Sequence, residues 1–335
     1  MGNRRFIKKL QELRGLAAIL IVVSHIPFFE SLIGTSLGGY GVAVFFLLSG
    51  FLIMHSTENN VDRFLIKRGI RIIPLYYVMT LFTFGVARIK PGWFNTTVAS
   101  IPNLIKSLLF IPYVNPNGVV RPILDVTWAL FPEVWLTFVF YVSLKISVKY
   151  RGLITGSFFL LLLFSGYFWN NAIFRQYRIS FICLPLGMLI YYIWKTLNTK
   201  RERINIRLKQ NNMNGILFLL FWGIGIAYNY LTINGLNSLG ILLTSIVFCC
   251  FLFTEGQTES VKWFLLLGDI SYSIYLIHEF VVKGFSRIVY SLENVNWISF
   301  SLSAFCILMT ILAAYFVNTF IEKPCLNYLR KSFKV

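Results

Sequence analysis

Arg14 and His25 stand eleven residues apart in the first apolar run of the chain, Leu13-Arg14-Gly15-Leu16-Ala17-Ala18-Ile19-Leu20-Ile21-Val22-Val23-Ser24-His25. Eleven helical residues turn through close to three revolutions and rise about 16 Å, so the guanidinium and the imidazole share one helix face at different depths. A fixed cation at one end of such a face can hold an anion, and a titratable ring further along can act as general base or nucleophile. The spacing implies a path between them.

An ionisable side chain at bilayer depth is costly, so each one inside an apolar run marks a candidate site. Counted from the inner end of its run, His25 lies about 13 residues or roughly 20 Å in, within the outer half of a hydrocarbon layer about 30 Å thick. Glu133, in Trp128-Ala129-Leu130-Phe131-Pro132-Glu133, enters from the opposite side and lies about 9 Å down. An imidazole and a carboxylate at matched depth form a candidate acid/base pair, His25 with Glu133. The competing reading is packing, with His25 bonded to a backbone carbonyl and Glu133 to a tyrosine or an arginine. Two such groups at one depth, with Arg14 aligned below, favour chemistry.

Three further segments carry polar groups in the same setting. Arg68 and Arg71 stand i, i+3 on one helix face at a membrane boundary, where two guanidinium forks suit a phosphorylated ligand arriving from the cytoplasm. Basic residues also flank inner helix ends for topology alone. The run Gly38-Gly39-Tyr40-Gly41 to Ser49-Gly50-Phe51 has small residues that admit either a neighbouring backbone or a thin ligand, and Ser49 offers a hydroxyl near the midplane. Late in the chain, Tyr272, Tyr275 and Glu279 follow the i, i+3, i+7 spacing of one face with His278 beside it. That helix either lines an acceptor cavity or holds its neighbours by hydrogen bonds.

The elements that must position these groups follow from composition. Hydrophobic residues make up 57% and charged residues 13% of 335 residues, a balance no soluble core uses. Apolar runs predict spans near 12-30, 38-56, 70-88, 127-148, 153-169, 178-196, 214-232, 236-254, 267-285 and 297-320, with a short interfacial or re-entrant helix within 98-111. The expected fold is an all-α integral membrane bundle of about ten helices, one domain over 1-335 with no separate soluble domain. Its partners then include the lipid bilayer.

A net charge of +18 on a soluble surface would suggest nucleic acid, but here it divides between alternate loops, and no nucleic-acid partner is expected. With the N-terminus inside, 23 of the 31 Lys and Arg residues fall on the cytoplasmic side, among them Arg4, Arg5, Lys8, Lys9 and Arg14, and six between Lys195 and Lys209. An even number of spans returns the C-terminus to the cytoplasm. The N-terminal run lacks a small-x-small cleavage site and reads as the first span rather than a signal peptide. Gly2 does not read as a myristoylation site, because Phe6 stands where that signal has a hydroxyl. The five cysteines lie in or at the ends of apolar spans without a C-x-x-C pair and read as packing residues, and no metal is expected.

Taken together, these segments resemble the membrane-bound acyltransferase-3 family, which acylates bacterial cell-surface carbohydrates. The resemblance rests on Arg14 with His25, Phe45-Phe46-Leu47-Leu48-Ser49-Gly50-Phe51, Arg68-x-x-Arg71 with Pro74-Leu75-Tyr76, Trp128 to Glu133, Gly268-Asp269-Ile270-Ser271-Tyr272-Ser273-Ile274-Tyr275-Leu276-Ile277-His278, and Ile321-Glu322-Lys323-Pro324. They occur in the family's order over almost the whole chain. It implies ten transmembrane helices in a bacterial cytoplasmic (inner) membrane and acyl-CoA, usually acetyl-CoA, as cytoplasmic donor. The acceptor is a carbohydrate met on the other side, either O-antigen, exopolysaccharide or a lipid-linked precursor.

On that reading Arg14, Arg68 and Arg71 hold the phosphates of coenzyme A. Pantetheine passes the small residues and Ser49 of the second span, and His25 acts as base or is transiently acylated. Glu133 orients or polarises, while Trp128, Tyr272, Tyr275 and His278 meet the acceptor. The extra C-terminal soluble domain of some relatives is not expected. A transporter of acyl groups or lipid-linked saccharides is the alternative, since ten spans with polar midplane residues describe one too. Transporters usually carry an internal repeat, and none is visible in the sequence.

Overall fold

The computed structural model describes residues 7-34, 37-58, 61-93, 97-115, 118-169, 171-204, 213-255, 259-288 and 297-335. Gly2, Arg4, Arg5, Phe6, Arg207 and Lys209, which figured in the sequence reading, lie outside the described residues. Among those described the chain is helical, with no strand and one isolated bridge between Val114 and Val120. Lipid offers no partner to backbone amides, so helices that satisfy them internally are what an apolar chain must form.

In chain order the helices are α1 (Lys8–Ser24), α2 (Pro27–Ile33), α3 (Leu37–Ser56), α4 (Phe64–Ile89), α5 (Ile101–Leu108), α6 (Leu130–Ile146) and α7 (Arg151–Phe168). They continue with α8 (Ala172–Ile204), α9 (Met213–Ile233), α10 (Asn237–Phe253), α11 (Lys262–Asp269), α12 (Ser271–Ile288), α13 (Trp297–Val317) and α14 (Lys323–Ser332). Among the described residues, seven helices are long and apolar enough to cross a bilayer, or up to nine if two bent pairs each count as one span, and α10 is a shorter apolar helix.

Two predicted spans are not single helices. The first, expected over 12-30, ends at Ser24, and α2 leaves at 93° to α1. Pro27 opens α2, where its missing N–H is harmless and its fixed φ starts a new helix rather than extending the old one. The ninth, expected over 267-285, breaks at Ile270, where α11 and α12 meet at 74°. The 98-111 segment condenses to α5, capped by the Ser100 hydroxyl accepting from Asn103 N–H at 3.3 Å. Within Ile321-Glu322-Lys323-Pro324 the chain passes through a π-helical turn, Asn318–Glu322, where Asn318 Nδ2 donates to Glu322 Oε2 at 2.9 Å.

Two compact units are present: 1-56 with 187-315, and 57-186 with 316-335. In the first, α1 is buried on nearly every side and packs on α3, α10, α11 and α12, so a helix whose stretch from Leu16 to Val23 is apolar all round serves as the centre. A Cβ on Gly41 of α3 would lie 2.8 Å from Ile21 Cγ1 and one on Gly38 would lie 2.6 Å from Ser24 Oγ. The open choice between helix packing and a thin ligand is thereby decided at these two glycines, because α1 fills the space.

The same unit holds a buried ion pair at the N-terminal end of α1. Lys9 is 1% exposed, and its Nζ donates to Glu12 Oε2 at 2.9 Å, Asn214 Oδ1 at 2.7 Å and the Glu259 carbonyl at 3.1 Å. Glu12 Oε1 accepts from Val261 N–H, and Glu255 Oε2 accepts from Lys9 N–H, both at 2.7 Å. A lysine expected only to mark a cytoplasmic loop instead ties α1 to the start of α9 and the α10-α11 connection.

In the second unit α5 docks on α4 through hydroxyls. Tyr76 Oη donates to the Ser107 carbonyl at 2.7 Å, Tyr77 Oη to that of Leu108 at 3.0 Å, and Ser107 Oγ accepts from Ile123 N–H at 3.0 Å. Rings of Tyr76, Phe110 and Phe131 fill the space beneath. This fixes the loop that precedes Trp128.

Candidate active site

His25 follows the last residue of α1, at the 93° break. Its N–H bonds back to the Val22 carbonyl at 3.1 Å, so helical geometry persists to the ring that then turns outward, exposed. The ring Nδ1 lies 2.8 Å from the Ile21 carbonyl oxygen and 3.3 Å from Ser24 Oγ. A carbonyl only accepts, so in the neutral ring Nδ1 carries the hydrogen and Nε2 keeps its lone pair. That leaves Nε2 as the acceptor nitrogen of an exposed ring.

His278 of α12 has the same arrangement in a buried setting. Its Nδ1 sits 2.8 Å from the Tyr275 carbonyl and 3.2 Å from that of Ile274, and the residue is 0% exposed. Its Nε2 is buried with no hydrogen-bond partner among the described residues. Leaving a buried acceptor unmet costs about 1–3 kcal/mol. The rings of His25 and His278 lie 4.9 Å apart, edge to face at 72°. Tyr275 lies beyond, 6.2 Å from His278 between ring centroids, and both Tyr275 and Tyr272 are buried. Glu279, on the same helix, is ion-paired with Lys283. Ser49 is buried midway along α3 and Arg14 is half-buried on α1.

The other expected residues belong to the second unit. Glu133 stands half-buried in the first turn of α6, and its carbonyl accepts from Thr137 Oγ1 at 2.8 Å. Arg68 Nη1 donates to Thr137 Oγ1 at 3.3 Å, and the charges acting on Arg68 are the Glu133 carboxylate, attractive, and Arg71, repulsive. Arg71 is exposed beside Glu322 and Cys325. The expected twin fork is therefore unequal: one arginine turns toward α6 and the other is open.

Around Trp128 the structure gathers residues that spacing did not single out. The Arg121 guanidinium lies 5.9 Å from the Trp128 ring centroid and its Nε is 3.0 Å from Asp125 Oδ1. Tyr177 packs 6.3 Å from Trp128 and 4.9 Å from Trp135, fully buried, with its hydroxyl unpartnered among the described residues. Burial pushes the Tyr113 phenol above its usual range, the Asp125 carboxylate adds to that, and a hydrogen bond with Ser107 opposes it. These residues come from a non-periodic loop and a distant helix, so no sequence spacing could join them.

A domain profile described as an acyltransferase domain, that of the acyltransferase-3 family, matches residues 7–319. The chain belongs to this family. Exopolysaccharide production protein ExoZ of Rhizobium meliloti (strain 1021) is 29% identical to it over 255 residues, covering 74% of this chain and 78% of that protein. No solved structure matches it significantly. The protein is thus a multi-pass membrane acyltransferase.

Proposed function

We propose that this acyltransferase moves an acyl group, acetyl in the simplest case, from cytoplasmic acyl-CoA to a hydroxyl of a cell-surface carbohydrate on the outer side of the bacterial inner membrane. The observation that carries the reading is His25, its Nδ1 committed to the Ile21 carbonyl and its Nε2 free, at the exposed end of a buried helix that bears Arg14. Exopolysaccharide is the acceptor class favoured by the similarity to ExoZ.

In this mechanism Arg14, Arg68 and Arg71 attract the phosphates of coenzyme A, with Ser49 as a hydroxyl toward the pantetheine arm. The acceptor hydroxyl oxygen attacks the thioester carbonyl, and its proton passes to His25 Nε2. The C–S bond breaks, and the departing thiolate takes that proton. Transient acylation of His25 reaches the same products in two steps. Glu133 polarises the arrangement, and Trp128, Tyr272 and Tyr275 serve the acceptor side, while His278, expected there too, is fully buried and backs the His25 ring instead. The reading uses no metal.

About ten spans with both termini cytoplasmic suit this direction of transfer. Two contacts support it: Arg63 Nη1 donates to the carbonyls of Phe333 and Lys334 at 2.5 Å, joining the C-terminal residues to the α3-α4 loop. Lys9 likewise joins the start of α1 to loops that the charge distribution assigns to the same side.

The test is purified protein in detergent with labelled acetyl-CoA and a surface glycan. A labelled ester is expected from the wild type and none from His25→Ala inserted at normal levels. Wild-type transfer by that variant would sink the base assignment, and uptake into vesicles reconstituted with the protein, without any covalent product, would favour a transporter.

A further inference from the structure

Arg151 opens α7 at the short loop that joins it to α6, and unlike Lys145 and Lys149 nearby it is buried, with 9% of its surface exposed. Those two lysines reach out of the loop and lie over the rings of Tyr141 and Tyr150 at 5.5 and 5.2 Å. The Arg151 side chain folds back across the start of its own helix, where Nη1 donates to the Val148 carbonyl. Its Nε is enclosed and meets no acceptor among the described residues. No Asp or Glu occurs between Glu133 and Glu202, and none of the ion pairs among the described residues includes Arg151.

A basic residue kept only for topology snorkels to water, as the two lysines do, because a guanidinium enclosed without a counter-charge is unfavourable. This enclosed cation stands before a helix start that is itself unsatisfied. The first N–H groups of an α-helix have no partner inside it, no side chain caps α7, and its first turn holds no acidic residue. The Ser147 hydroxyl accepts from Tyr150 N–H at 3.3 Å, outside the helix. Guanidinium and helix dipole therefore converge on one place where the chain supplies no negative charge.

The surroundings point to the kind of anion. Ile146, Tyr150 and Leu153, next to the charged groups, are 67%, 52% and 67% exposed, and only 28% of the residues of α7 are buried. An anion that settles here therefore needs an apolar body to cover those side chains. The loop charges assign this end of α7 to the cytoplasmic side, where anionic headgroups concentrate. We propose that the start of α7 is a phospholipid site. Arg151 Nε and the N–H groups of the first turn hold the headgroup phosphate of an anionic lipid, Lys149 stands at its edge, and the acyl chains lie along α7. The site is separate from the donor and the acceptor of the acyl transfer.

The test uses the whole chain in detergent, titrated with short-chain phosphatidylglycerol, short-chain phosphatidylcholine and coenzyme A, with binding read by native mass spectrometry and by melting temperature. Phosphatidylglycerol should bind the wild type about tenfold more tightly than phosphatidylcholine, Arg151→Gln should remove that difference, and Lys149→Gln should reduce it about twofold. Arg151→Met should melt no lower than wild type in phosphatidylcholine, since it removes an uncompensated buried charge, and should lose the rise that phosphatidylglycerol gives the wild type.

No preference between the lipids in the wild type, or a preference kept by Arg151→Gln, overturns the site. A lower melting temperature of Arg151→Met in phosphatidylcholine assigns the arginine to the fold and overturns it too. Loss of coenzyme A binding in Arg151→Gln with phosphatidylglycerol binding intact gives the cation to the acyl donor instead. Should the variants fail to fold, a phosphatidylglycerol with a photoactivatable headgroup is crosslinked to the wild-type protein. Labelling of residues 147-153 that unlabelled phosphatidylglycerol suppresses supports the site, and labelling confined to other segments overturns it.

Discussion

Gly15 of α1 and Gly268 at the end of α11 meet with no room for a methyl group between them. A Cβ on Gly15 would lie 2.7 Å from the Gly268 nitrogen, and one on Gly268 would lie 2.2 Å from the Gln11 carbonyl oxygen. Gln11 Nε2 also donates to Asp269 Oδ1 at 2.7 Å, so the crossing is both close and hydrogen-bonded. It lies next to Arg14 and fixes the helix that presents His25.

Backbone atoms cannot yield as a flexible side chain can, so Gly268→Ala should destabilise the protein by about 1–3 kcal/mol, the usual cost of overpacking. Gly223→Ala, in α9 with nothing within 4 Å of the added carbon, should be neutral or mildly stabilising because alanine is the better helix former. Thermal unfolding in detergent ranks the two. Equal melting temperatures would show that the α1-α11 crossing tolerates separation.

The Lys9-Glu12 pair makes a second stability prediction. Lys9→Met leaves the Glu12 carboxylate buried beside Val261 without its counter-charge, and removing one partner of such a pair costs about 3–5 kcal/mol. Lys9→Met with Glu12→Leu should recover part of that loss. A double variant no better than the single would assign the cost to the Asn214 and Glu259 contacts of Lys9 instead.

The two arginines of α4 should behave differently. Arg71→Ala, at an exposed position, should raise KM for acyl-CoA several-fold and leave melting unchanged. Arg68→Ala should do both kinds of damage, since it removes the cation that Glu133 attracts and the donor to Thr137. Acyl-CoA titration and thermal unfolding of the same preparations check this, and unchanged donor affinity in both variants would take the pair out of the site.

Trp128 is the test of the acceptor side. Trp128→Ala should raise KM for the glycan about tenfold, equivalent to about 1.4 kcal/mol of lost ring contact, with KM for acyl-CoA unaffected. A change confined to the donor would move Trp128 to the coenzyme end.

Much of the architecture was legible in the sequence because a bilayer narrows the choices. Ser49, Arg68 and Trp128 could each be placed on a helix or at its mouth from apolar run length and loop charge. What spacing did not show was where a run breaks or which side of a residue faces a neighbour. Glycines 38 and 41 were compatible with a ligand or a helix until α1 was found against them, and Lys9 looked like a loop charge until it proved buried.

By itself, then, the sequence determined the membrane class, the apolar runs and the acyltransferase family, since hydropathy and motif order are properties of local stretches of chain. Tertiary structure alone decided the packing around α1, the closeness of His278 and the unequal settings of Arg68 and Arg71. Those depend on contacts between residues tens to hundreds of positions apart. Helical periodicity carries no record of which face will pack on which partner.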